Sequence, residues 1–584
     1  MKPQRLKFRR LYRNLDKIVL LFFIVFLLME LVWIPFNSFV AENLLKQTGY
    51  LFLSYTNVGK VLSSNYLVTI GFILIFIANL FVSYFQIGMI FMGIHNLLDK
   101  EERSVFQFFN KTLRDSLSIV KRTRIGSMLF ISCYMGILFP FLRKILKIYY
   151  LNKILIPDFI VTYFQSSLLS AILVLFLVCL MLLLAVRLMF ALPKILFEGN
   201  SVREAVQFSL QKTKKHLIFY SWHLFWIVAK SFLIFLLLTS PLLLLQQYVD
   251  SQFNQMAFSV AVANFVLIKI AYYFMLAYFL LKFLAFLTDS ELKDYQLKKG
   301  FPFMRWFILS LTAIAFSFEA VYYLKFPLET VPITISHRGV SAENGVQNTV
   351  ESLKKTALLK PDYIEVDIQE TKDGKFVMMH DANLENLAGV DAKPQDLTLE
   401  ELEALKISEN GYTTNISSFE EYFKTANQLG QRLLIEIKTS DQDSSNMVEK
   451  FLKQYGATIK LYAHQIQSLD YRVIDKVIQY DKDIPTFFIL PYNTIFPQTK
   501  AFGYTMEYST LDQNFVDKLW KTDKQLYDWT INDENSISKS FSLGVDGMIT
   551  DDLELVQSSI KELQNSPQYT TILVNQTANL FYFI

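Results

Sequence analysis

Two stretches of the chain decide its fold: residues 333–340 read ITISHRGV, and residues 363–381 read YIEVDIQETKDGKFVMMHD. Each contains a short apolar run typical of a buried β-strand. Ionisable side chains follow or interrupt these runs, namely His337 in the first stretch and Glu365 and Asp367 in the second. In a (β/α)8 barrel, functional side chains stand at the carboxyl ends of parallel strands. The two stretches therefore predict barrel strands whose polar groups meet at one rim.

Similar apolar runs continue along the chain and are separated by polar stretches of helical character. Besides ITISH and DYIEVDI, we expect strands in RLLIEIK, TIKLYA, IPTFFIL, QLYDWTI and GVDGMIT. Alternating strands and helices over about 235 residues are typical of a (β/α)8 barrel, also called a TIM barrel, whose usual length is about 250 residues. The sequence thus predicts an α/β barrel over residues 331–565, followed by a tail over 566–584 that has no assignment.

The first part of the chain is far more apolar. With 52% hydrophobic residues and a mean hydropathy of +0.29 over 584 residues, the chain is too apolar for an ordinary soluble protein. Runs of the roughly 20 apolar residues needed to cross a bilayer predict about seven helical spans within residues 1–325. These spans are 17–38, 66–94, 126–142, 160–192, 218–246, 256–287 and 303–324. A segment near 39–62 is predicted to be interfacial or re-entrant.

Charge also separates the two parts. Residues before Val331 hold 34 Lys and Arg against 16 Asp and Glu, whereas the residues from Val331 onward hold 23 against 37. Basic residues gather at the N-terminus and within 100–124, but residues 246–255, QQYVDSQFNQ, have none. Because cytoplasmic loops are rich in Lys and Arg, we expect a cytoplasmic N-terminus and an extracellular barrel at the cell membrane. The basic residues within 143–153 point the other way.

The basic residues lie between apolar spans and form no stripe on a soluble domain, so a nucleic-acid partner is not expected. Within the spans, Glu30, Lys230 and Lys269 are ionisable. Such residues mark either a function or an ion pair that joins helices. Glu30 is expected to pair with one of the lysines, or the lysines to meet an anionic lipid headgroup.

Three carboxylates are candidate metal ligands. Glu365 and Asp367 are two residues apart, so on a strand they face the same side, here the barrel axis, and Glu436 lies on the neighbouring strand. Buried carboxylates are costly unless a cation neutralises them, and oxygen donors suit a hard divalent ion such as Mg²⁺ or Ca²⁺. The alternative interpretation is that these are solvated charges on helices.

Beside these carboxylates, His337 and His380 are able to give and take a proton near neutral pH. Arg338 offers a planar, permanently charged group for a phosphate. Taken alone, each residue is more often structural than functional. Their position next to the predicted metal ligands favours a functional interpretation.

The motifs ISHRGV, QNT, EVD, TKDGKFVMMHD, IEIK, DWTIN and GVDGMITDD follow one another between residues 333 and 555. They resemble the successive motifs of the glycerophosphodiester phosphodiesterase family. The preceding spans resemble the membrane module that is fused to this domain in some Gram-positive bacteria. The resemblance implies a divalent-metal site at Glu365, Asp367 and Glu436, a general base and acid at His337 and His380, and substrate contacts from Arg338, Lys438 and Trp529. Trp529 is equally well explained as part of the barrel core.

The chain departs from the family pattern at one position. Where the family has Glu-Asn-Thr, this chain has Gln347, Asn348 and Thr349, and Glu343 stands earlier. A Gln side chain keeps a hydrogen bond but not a charge, which bears on any metal contact or polarity that the family's Glu sets.

The resemblance implies a lipid-metabolism hydrolase that releases glycerol 3-phosphate and an alcohol from glycerophosphodiesters. A glycerol hydroxyl would attack phosphorus, and water would open the cyclic product. Two alternatives belong to other classes. The first is a lipid transporter or receptor whose barrel is not catalytic, and the second is a barrel phospholipase that acts on intact phospholipids. The oligomeric state is not predicted.

Overall fold

The computed structural model describes residues 11–12, 14–54, 57–97, 103–138, 160, 164, 167–288, 302–325, 331–493, 495–565 and 569–580. The chain divides into two compact units. The first comprises Met1–Leu324 together with Gln568–Ile584, and the second comprises Lys325–Pro567. We call them the membrane unit and the barrel unit.

The membrane unit is helical. The described residues of this unit that precede the barrel form α1 (Leu15–Leu28), α2 (Ile34–Gln47), α3 (Val58–Ser64), α4 (Tyr66–Asn96), α5 (Val105–Arg122), α6 (Ile125–Cys133), α7 (Leu168–Leu188), α8 (Ala191–Leu196), α9 (Val202–Thr213), α10 (Leu217–Gln252), α11 (Asn254–Leu287) and α12 (Pro302–Lys325). A π-helical turn over Met29–Trp33 joins α1 to α2, and a second one over Tyr134–Leu138 extends α6.

Among the described residues, six helices are long and apolar enough to cross a membrane: Leu15–Lys46, Tyr66–Asn96, Leu168–Leu188, Leu217–Gln252, Asn254–Leu287 and Phe303–Lys325. The first of them extends past its predicted end, because Ala41 and Leu45 are buried and continue the helix. Part of the segment predicted to be interfacial or re-entrant therefore belongs to this helix. The predicted span 126–142 begins as α6 and is described only as far as residue 138; its remainder lies outside the described residues.

The ionisable residues within the spans have specific neighbours. Lys269 on α11 lies 2.6 Å from Glu319 on α12, measured from Nζ to Oε1. Lys230 on α10 lies over the ring of Trp226, 5.5 Å from its centre. Lys269 thus has a partner, Glu319, that the sequence analysis did not single out.

The strands of the barrel unit are β1 (Ile333–Ser336), β2 (Tyr363–Glu370), β3 (Phe376–Met378), β4 (Lys406–Glu409), β5 (Tyr412–Asn415), β6 (Leu433–Ile437), β7 (Gln465–Ser468), β8 (Thr486–Leu490), β9 (Gly503–Glu507), β10 (Gln525–Trp529) and β11 (Gly547–Thr550). Eight of them pair in parallel in the order β1, β2, β6, β7, β8, β9, β10, β11, and β11 pairs again with β1. The eight-stranded sheet is therefore closed, which confirms the predicted parallel barrel. β3 adds to β2 in antiparallel fashion, and β4 and β5 form a separate hairpin.

Helices follow most barrel strands. They are α13 (Val350–Ala357), α14 (Glu385–Ala388), α15 (Leu399–Glu403), α16 (Phe419–Leu429), α17 (Met447–Leu461), α18 (Tyr471–Tyr480), α19 (Gln513–Trp520), α20 (Glu534–Leu543) and α21 (Leu553–Asn565). Between β8 and β9, the residues that the structure describes form no helix. The segment from β3 to the β4–β5 hairpin, including α14 and α15, is an insertion after β2.

One predicted strand is wrong. TIKLYA, residues 458–463, lies mainly in α17, and the strand that follows is β7. The alternating pattern of TIKLYA continues a helical period that buries Phe451, Tyr455 and Ile459. The strand β9, GYTME, was not predicted, because it begins with glycine and has only one strongly apolar residue.

The tail contains a helix, α22 (Tyr569–Asn579), which belongs to the membrane unit. The backbone nitrogen and Oγ1 of Thr570 donate to Asp250 Oδ2, at 2.8 and 2.7 Å. Ile572 and Leu573 are buried in the apolar core of that unit. The carboxylate satisfies a free N–H group at the first turn of the helix and complements the helix dipole.

Candidate active site

The alternation of side chains along the barrel strands determines which residues form the site. One apolar layer is formed by a side chain from each of six strands: Ile335, Tyr363, Leu434, Phe487, Tyr527 and Ile549. Because side chains alternate, the residue two positions further along each strand points to the same interior and lies nearer the carboxyl end. On five of these strands the residue is polar or amphipathic: His337, Glu365, Glu436, Trp529 and Asp551. The apolar layer is thus the floor of a polar site.

Three carboxylates converge above this floor. Asp367 on β2 is in register with Glu436 on β6. Glu365, Asp367 and Glu436 are buried, and each offers a carboxylate oxygen within 4.8 Å of the others. Lys438 contacts two of them, with Nζ 3.1 Å from Asp367 Oδ1 and 3.0 Å from Glu436 Oε1.

The burial and close approach of the three carboxylates shift their pKa values. Burial, together with repulsion from Asp367 and Glu436, raises the pKa of Glu365 well above its ordinary value. Burial also raises the pKa of Glu436, and the charge of Asp367 adds to this effect while Lys438 opposes it. Burial acts to raise the pKa of Asp367 as well, but Lys438, His380 and Arg338 outweigh it, so its pKa is lowered.

The residues fit a divalent cation. Three buried carboxylates face one lysine, and Arg338 Nε is 4.0 Å from Asp367 Oδ2. All three carboxylates are oxygen donors, the ligands that hard divalent ions prefer. A cation among them would relieve the repulsion that raises the pKa of Glu365. This acidic triad is therefore a site of the kind that binds a divalent metal.

Each predicted catalytic histidine is held by an aspartate. His337 Nδ1 is 2.8 Å from Asp551 Oδ1, and Asn532 Nδ2 donates to the other oxygen of Asp551 at 2.7 Å. His380 Nδ1 is 2.7 Å from Asp381 Oδ1. An oriented Nδ1 directs the Nε2 atom of each ring away from its aspartate.

The histidines differ in their surroundings. Burial lowers the pKa of His380 to about 4, although the charge of Asp367 acts in the opposite direction. Burial acts to raise the pKa of Asp551, but the hydrogen bond with His337 and the charge of that histidine leave it lowered. The backbone around His380 is itself anchored, because Gln369 Nε2 on β2 donates to the carbonyl oxygen of Asp381 at 2.8 Å.

Arg338 occupies a tight turn after β1. Its φ is +54°, and that of Gly339 is +70°. A Cβ on Gly339 would lie 2.6 Å from Tyr422 Oη, so only glycine fits at this point. The turn lets the backbone N–H of Arg338 donate to Glu365 Oε2 at 2.9 Å, while its side chain reaches Gln347 Oε1, 2.9 Å from Nη1.

The other residues singled out from the sequence are also placed. Lys438 lies against the acidic triad, and Trp529 is half-buried and packs on the apolar floor. Asn348 Nδ2 donates to Asp367 Oδ2 at 2.9 Å. Glu343 is exposed and away from these contacts.

Sequence reasoning missed several residues of the site. Asp381 and Asp551 stand in the quoted motifs MMHD and MITDD, directly after an apolar run, which is a usable signal. Gln467 on β7 donates from Nε2 to Glu365 Oε1 at 3.2 Å. Nothing in its local sequence, QIQS, distinguishes it, because its role depends on the closure of the barrel.

The fold and the site together define a class: a multi-pass membrane protein with a (β/α)8 barrel that carries a buried acidic triad and two histidine–aspartate pairs. A family model described as the membrane domain of glycerophosphoryl diester phosphodiesterase matches residues 4–326, more than half of the chain. A second, described as the glycerophosphoryl diester phosphodiesterase family, matches residues 337–555. The chain therefore belongs to the membrane-anchored glycerophosphodiester phosphodiesterase family, and it is an enzyme of this class.

Individual proteins are similar to the chain at lower identity. A glycerophosphodiester phosphodiesterase of Caldanaerobacter subterraneus subsp. tengcongensis is 25% identical over 240 residues, covering 39% of this chain and 98% of the relative. A lysophospholipase D of Mus musculus is 25% identical over 266 residues, covering 37% and 82%. The structure of an Oleispira antarctica phosphodiesterase in complex with the product sn-glycerol-3-phosphate has a TM-score of 0.35 and 21% identity, covering 40% of this chain and 97% of that chain.

Proposed function

We propose that the chain hydrolyses glycerophosphodiesters to glycerol 3-phosphate and an alcohol in a metal-dependent reaction at the outer face of the cell membrane. The observation that carries this proposal is the acidic triad next to two histidines, each held by its own aspartate. A membrane domain of residues 1–325, a catalytic barrel of residues 331–565 and a tail of residues 566–584 are part of the same proposal.

Glu365, Asp367 and Glu436 would hold the metal ion, Mg²⁺ or Ca²⁺. When bound, such an ion withdraws charge from phosphoryl oxygens and lowers the pKa of a nearby hydroxyl. Arg338 and Lys438 supply fixed positive charge for the phosphate, and the planar Arg338 guanidinium offers N–H donors to its oxygens. Trp529 offers an apolar face for the glycerol carbons.

The histidines move the protons. The glycerol hydroxyl next to the phosphoester attacks phosphorus while His337 takes its proton, and the bond to the departing alcohol breaks as His380 protonates that oxygen. Water then opens the cyclic glycerophosphate, with the two roles reversed. Burial keeps the free His380 neutral at neutral pH, since its pKa is lowered to about 4. The negative charge of a bound phosphodiester raises that pKa and favours the proton-donating form.

This mechanism limits the substrates. A free hydroxyl beside the phosphoester is required, so deacylated headgroups, lysophospholipids and glycerophosphate polymers qualify. A phospholipid does not qualify when both of its glycerol hydroxyls are esterified and its headgroup has no hydroxyl beside the phosphoester. The name of the mouse relative, a lysophospholipase D, supports lysophospholipids as one substrate class.

The test uses the full chain purified in detergent. Glycerol 3-phosphate release from a water-soluble glycerophosphodiester is measured with Mg²⁺, with Ca²⁺ and with EDTA, for the wild type and for His337→Ala. We expect release with a divalent ion, none with EDTA, and release from the variant that is slower by about 10² to 10⁴-fold. Turnover of an analogue whose attacking hydroxyl is replaced by hydrogen would contradict the cyclic route. Absence of release with every metal would shift the proposal to a non-catalytic barrel that binds lipid.

The outward orientation has its own test. A cysteine introduced at the exposed Glu343 is treated in intact cells with a thiol reagent that does not cross membranes. Labelling without lysis supports an extracellular barrel, and labelling only after lysis contradicts it.

A further inference from the structure

Gln347 stands between the phosphate-binding candidate Arg338 and a carboxylate from the insertion. Its Oε1 accepts from Arg338 Nη1 at 2.9 Å. Its Nε2 donates to Glu409 Oε1 at 2.7 Å, and its backbone N–H donates to Glu409 Oε2 at 2.8 Å. Gln347 is 8% exposed, so water does not replace these partners.

This arrangement decides which way the amide points. A glutamine amide has one donating end and one accepting end. Both oxygens of Glu409 accept from Gln347, so the NH₂ group must face Glu409 and the oxygen must face Arg338. Without that carboxylate, the amide is free to turn its NH₂ group toward the guanidinium, where two donors would meet and repel.

The position of Glu409 is itself set by the β4–β5 hairpin. Glu409 is the last residue of β4, and Asn410 and Gly411 form the turn with φ values of +53° and +79°. An Asn-Gly pair at a two-residue turn is typical of a tight hairpin. Asn410 Nδ2 donates to the carbonyl oxygen of Gly345 at 3.1 Å, which fastens the hairpin tip to the loop that carries Gln347.

A second contact fastens the same loop. Lys355 on α13 donates from Nζ to the carbonyl oxygen of Asn344 at 2.7 Å, and Nζ lies 3.9 Å from the centre of the Tyr412 ring on β5. The hairpin, the loop and α13 therefore hold Glu409 and Gln347 in one arrangement.

Arg338 is oriented from two sides. Gln347 holds Nη1, and Asp367 attracts Nε at 4.0 Å. Among the residues that the structure describes, none accepts a hydrogen bond from Nη2, so this end of the guanidinium is the one available to an anion. A guanidinium held in this way loses less conformational entropy on binding phosphate than a mobile one does.

From these contacts we infer that Glu409 is a positioning residue for the phosphate site, acting through Gln347 on Arg338. The inference rests on the proposed function, in which Arg338 binds the substrate phosphate. The family pattern has a glutamate at position 347. In this chain Gln347 stands there, and it donates a hydrogen bond to the carboxylate of Glu409 on the hairpin. A glutamate at position 347 would face Glu409 carboxylate to carboxylate, whereas exchanging the two residues would keep every hydrogen bond.

The test is a swap in the full chain. The variants are Gln347→Glu, Glu409→Gln and the double variant that carries both changes. Each single variant is expected to bind inorganic phosphate about 10-fold more weakly in calorimetry and to raise KM by a similar factor, as loss of one hydrogen bond to a charged group predicts. The double variant is expected to return within about 3-fold of the wild type. The reason is that the carboxylate introduced at position 347 accepts from Arg338, and the amide introduced at position 409 donates to that carboxylate.

Glu400→Gln is the matched control. It removes the same charge from the same insertion, but Glu400 is exposed on α15, away from the loop. It should leave phosphate binding and KM unchanged. If a single variant does not fold, Glu409→Asp replaces it, since this change keeps the charge and shortens its reach.

The outcomes separate the inference from the proposed function. Wild-type levels of phosphate binding and KM in both single variants would overturn the inference. So would a double variant no better than the worse single one. A wild-type chain that releases no glycerol 3-phosphate contradicts the proposed function instead, and phosphate calorimetry then still decides whether Glu409 orients Arg338.

Discussion

Charged side chains lie close together in both units of this protein, but they are half-buried in the membrane unit and buried in the barrel unit. In the membrane unit, Lys269 pairs with Glu319. In the barrel unit, Glu365, Asp367 and Glu436 lie together, and Lys438 contacts two of them. An excess of buried carboxylates is stable only with an added cation or an added proton. The excess of buried negative charge therefore marks the candidate active site better than burial alone does.

The largest expected effect comes from removing one carboxylate of the triad. Asp367→Asn should abolish metal binding and lower kcat/KM by about 10³-fold or more, because charge stabilisation by a metal is worth several kcal/mol. Calorimetry with Mn²⁺ and the release of glycerol 3-phosphate measure the two effects. Glu319→Gln is the control, since it removes a half-buried, lysine-paired carboxylate from the membrane unit and should leave metal binding intact.

The aspartates that hold the histidines should have smaller effects. His337→Ala is expected to lower kcat by about 10² to 10⁴-fold. Asp551→Asn should lower it less, by about 10 to 10²-fold, because Asp551 only orients His337. Neither change should weaken phosphate binding. Equal losses from the two variants would show that Asp551 does more than orient the ring.

The Lys269–Glu319 pair should affect stability and not chemistry. Lys269→Met removes the cation that Glu319 contacts and is expected to destabilise the membrane unit by about 3 kcal/mol. The double variant Lys269→Met with Glu319→Gln should recover most of that loss. Thermal unfolding of the full chain in detergent measures this, and kcat per folded molecule should stay unchanged. A fall in kcat without a loss of stability would give the pair a functional role.

A buried histidine outside the active site should give the smallest effect. His464 is 1% exposed, and its Nδ1 accepts from the backbone N–H of Leu433 at 2.9 Å. Burial lowers its pKa to about 4, from 6.5. Below pH 6.5 the unfolded chain binds a proton on His464, whereas the folded chain binds it only near pH 4. The free energy of unfolding therefore decreases as the pH is lowered across this window.

The expected loss from His464 is about 1 kcal/mol between pH 7 and pH 5.5. His464→Gln, which does not titrate, should flatten this part of the profile of unfolding temperature against pH. An unchanged profile would assign the acid sensitivity to other groups.

Most of the fold could be predicted from the sequence, because the patterns that determine it extend over short stretches of the chain. Apolar runs long enough for a bilayer predicted the membrane helices, and alternating strands and helices predicted the closed parallel barrel. The errors arose where local pattern is ambiguous. TIKLYA alternates like a strand but continues the buried face of α17, and GYTME is too polar to be recognised outside a sheet.

The candidate site could be predicted from the sequence where its residues follow apolar residues of a strand. His337, Glu365 and Glu436 lie two positions beyond apolar residues of the barrel floor, so strand alternation alone predicts that they meet. The same alternation places Asp551 two positions beyond Ile549, but neither Asp551 nor its contact with His337 was predicted. The roles of these residues in catalysis remain predictions until the variants are measured.

By itself, the sequence determined the two kinds of region, the barrel and the carboxylates on its axis, since hydropathy and alternation act over short distances. Only the tertiary structure decided the partners: Glu319 for Lys269, Asp551 for His337, and Glu409 for Gln347. These pairs join residues 50, 214 and 62 positions apart. No local pattern encodes such a pairing, because it depends on how strands and helices far apart in the chain are brought together when the fold closes.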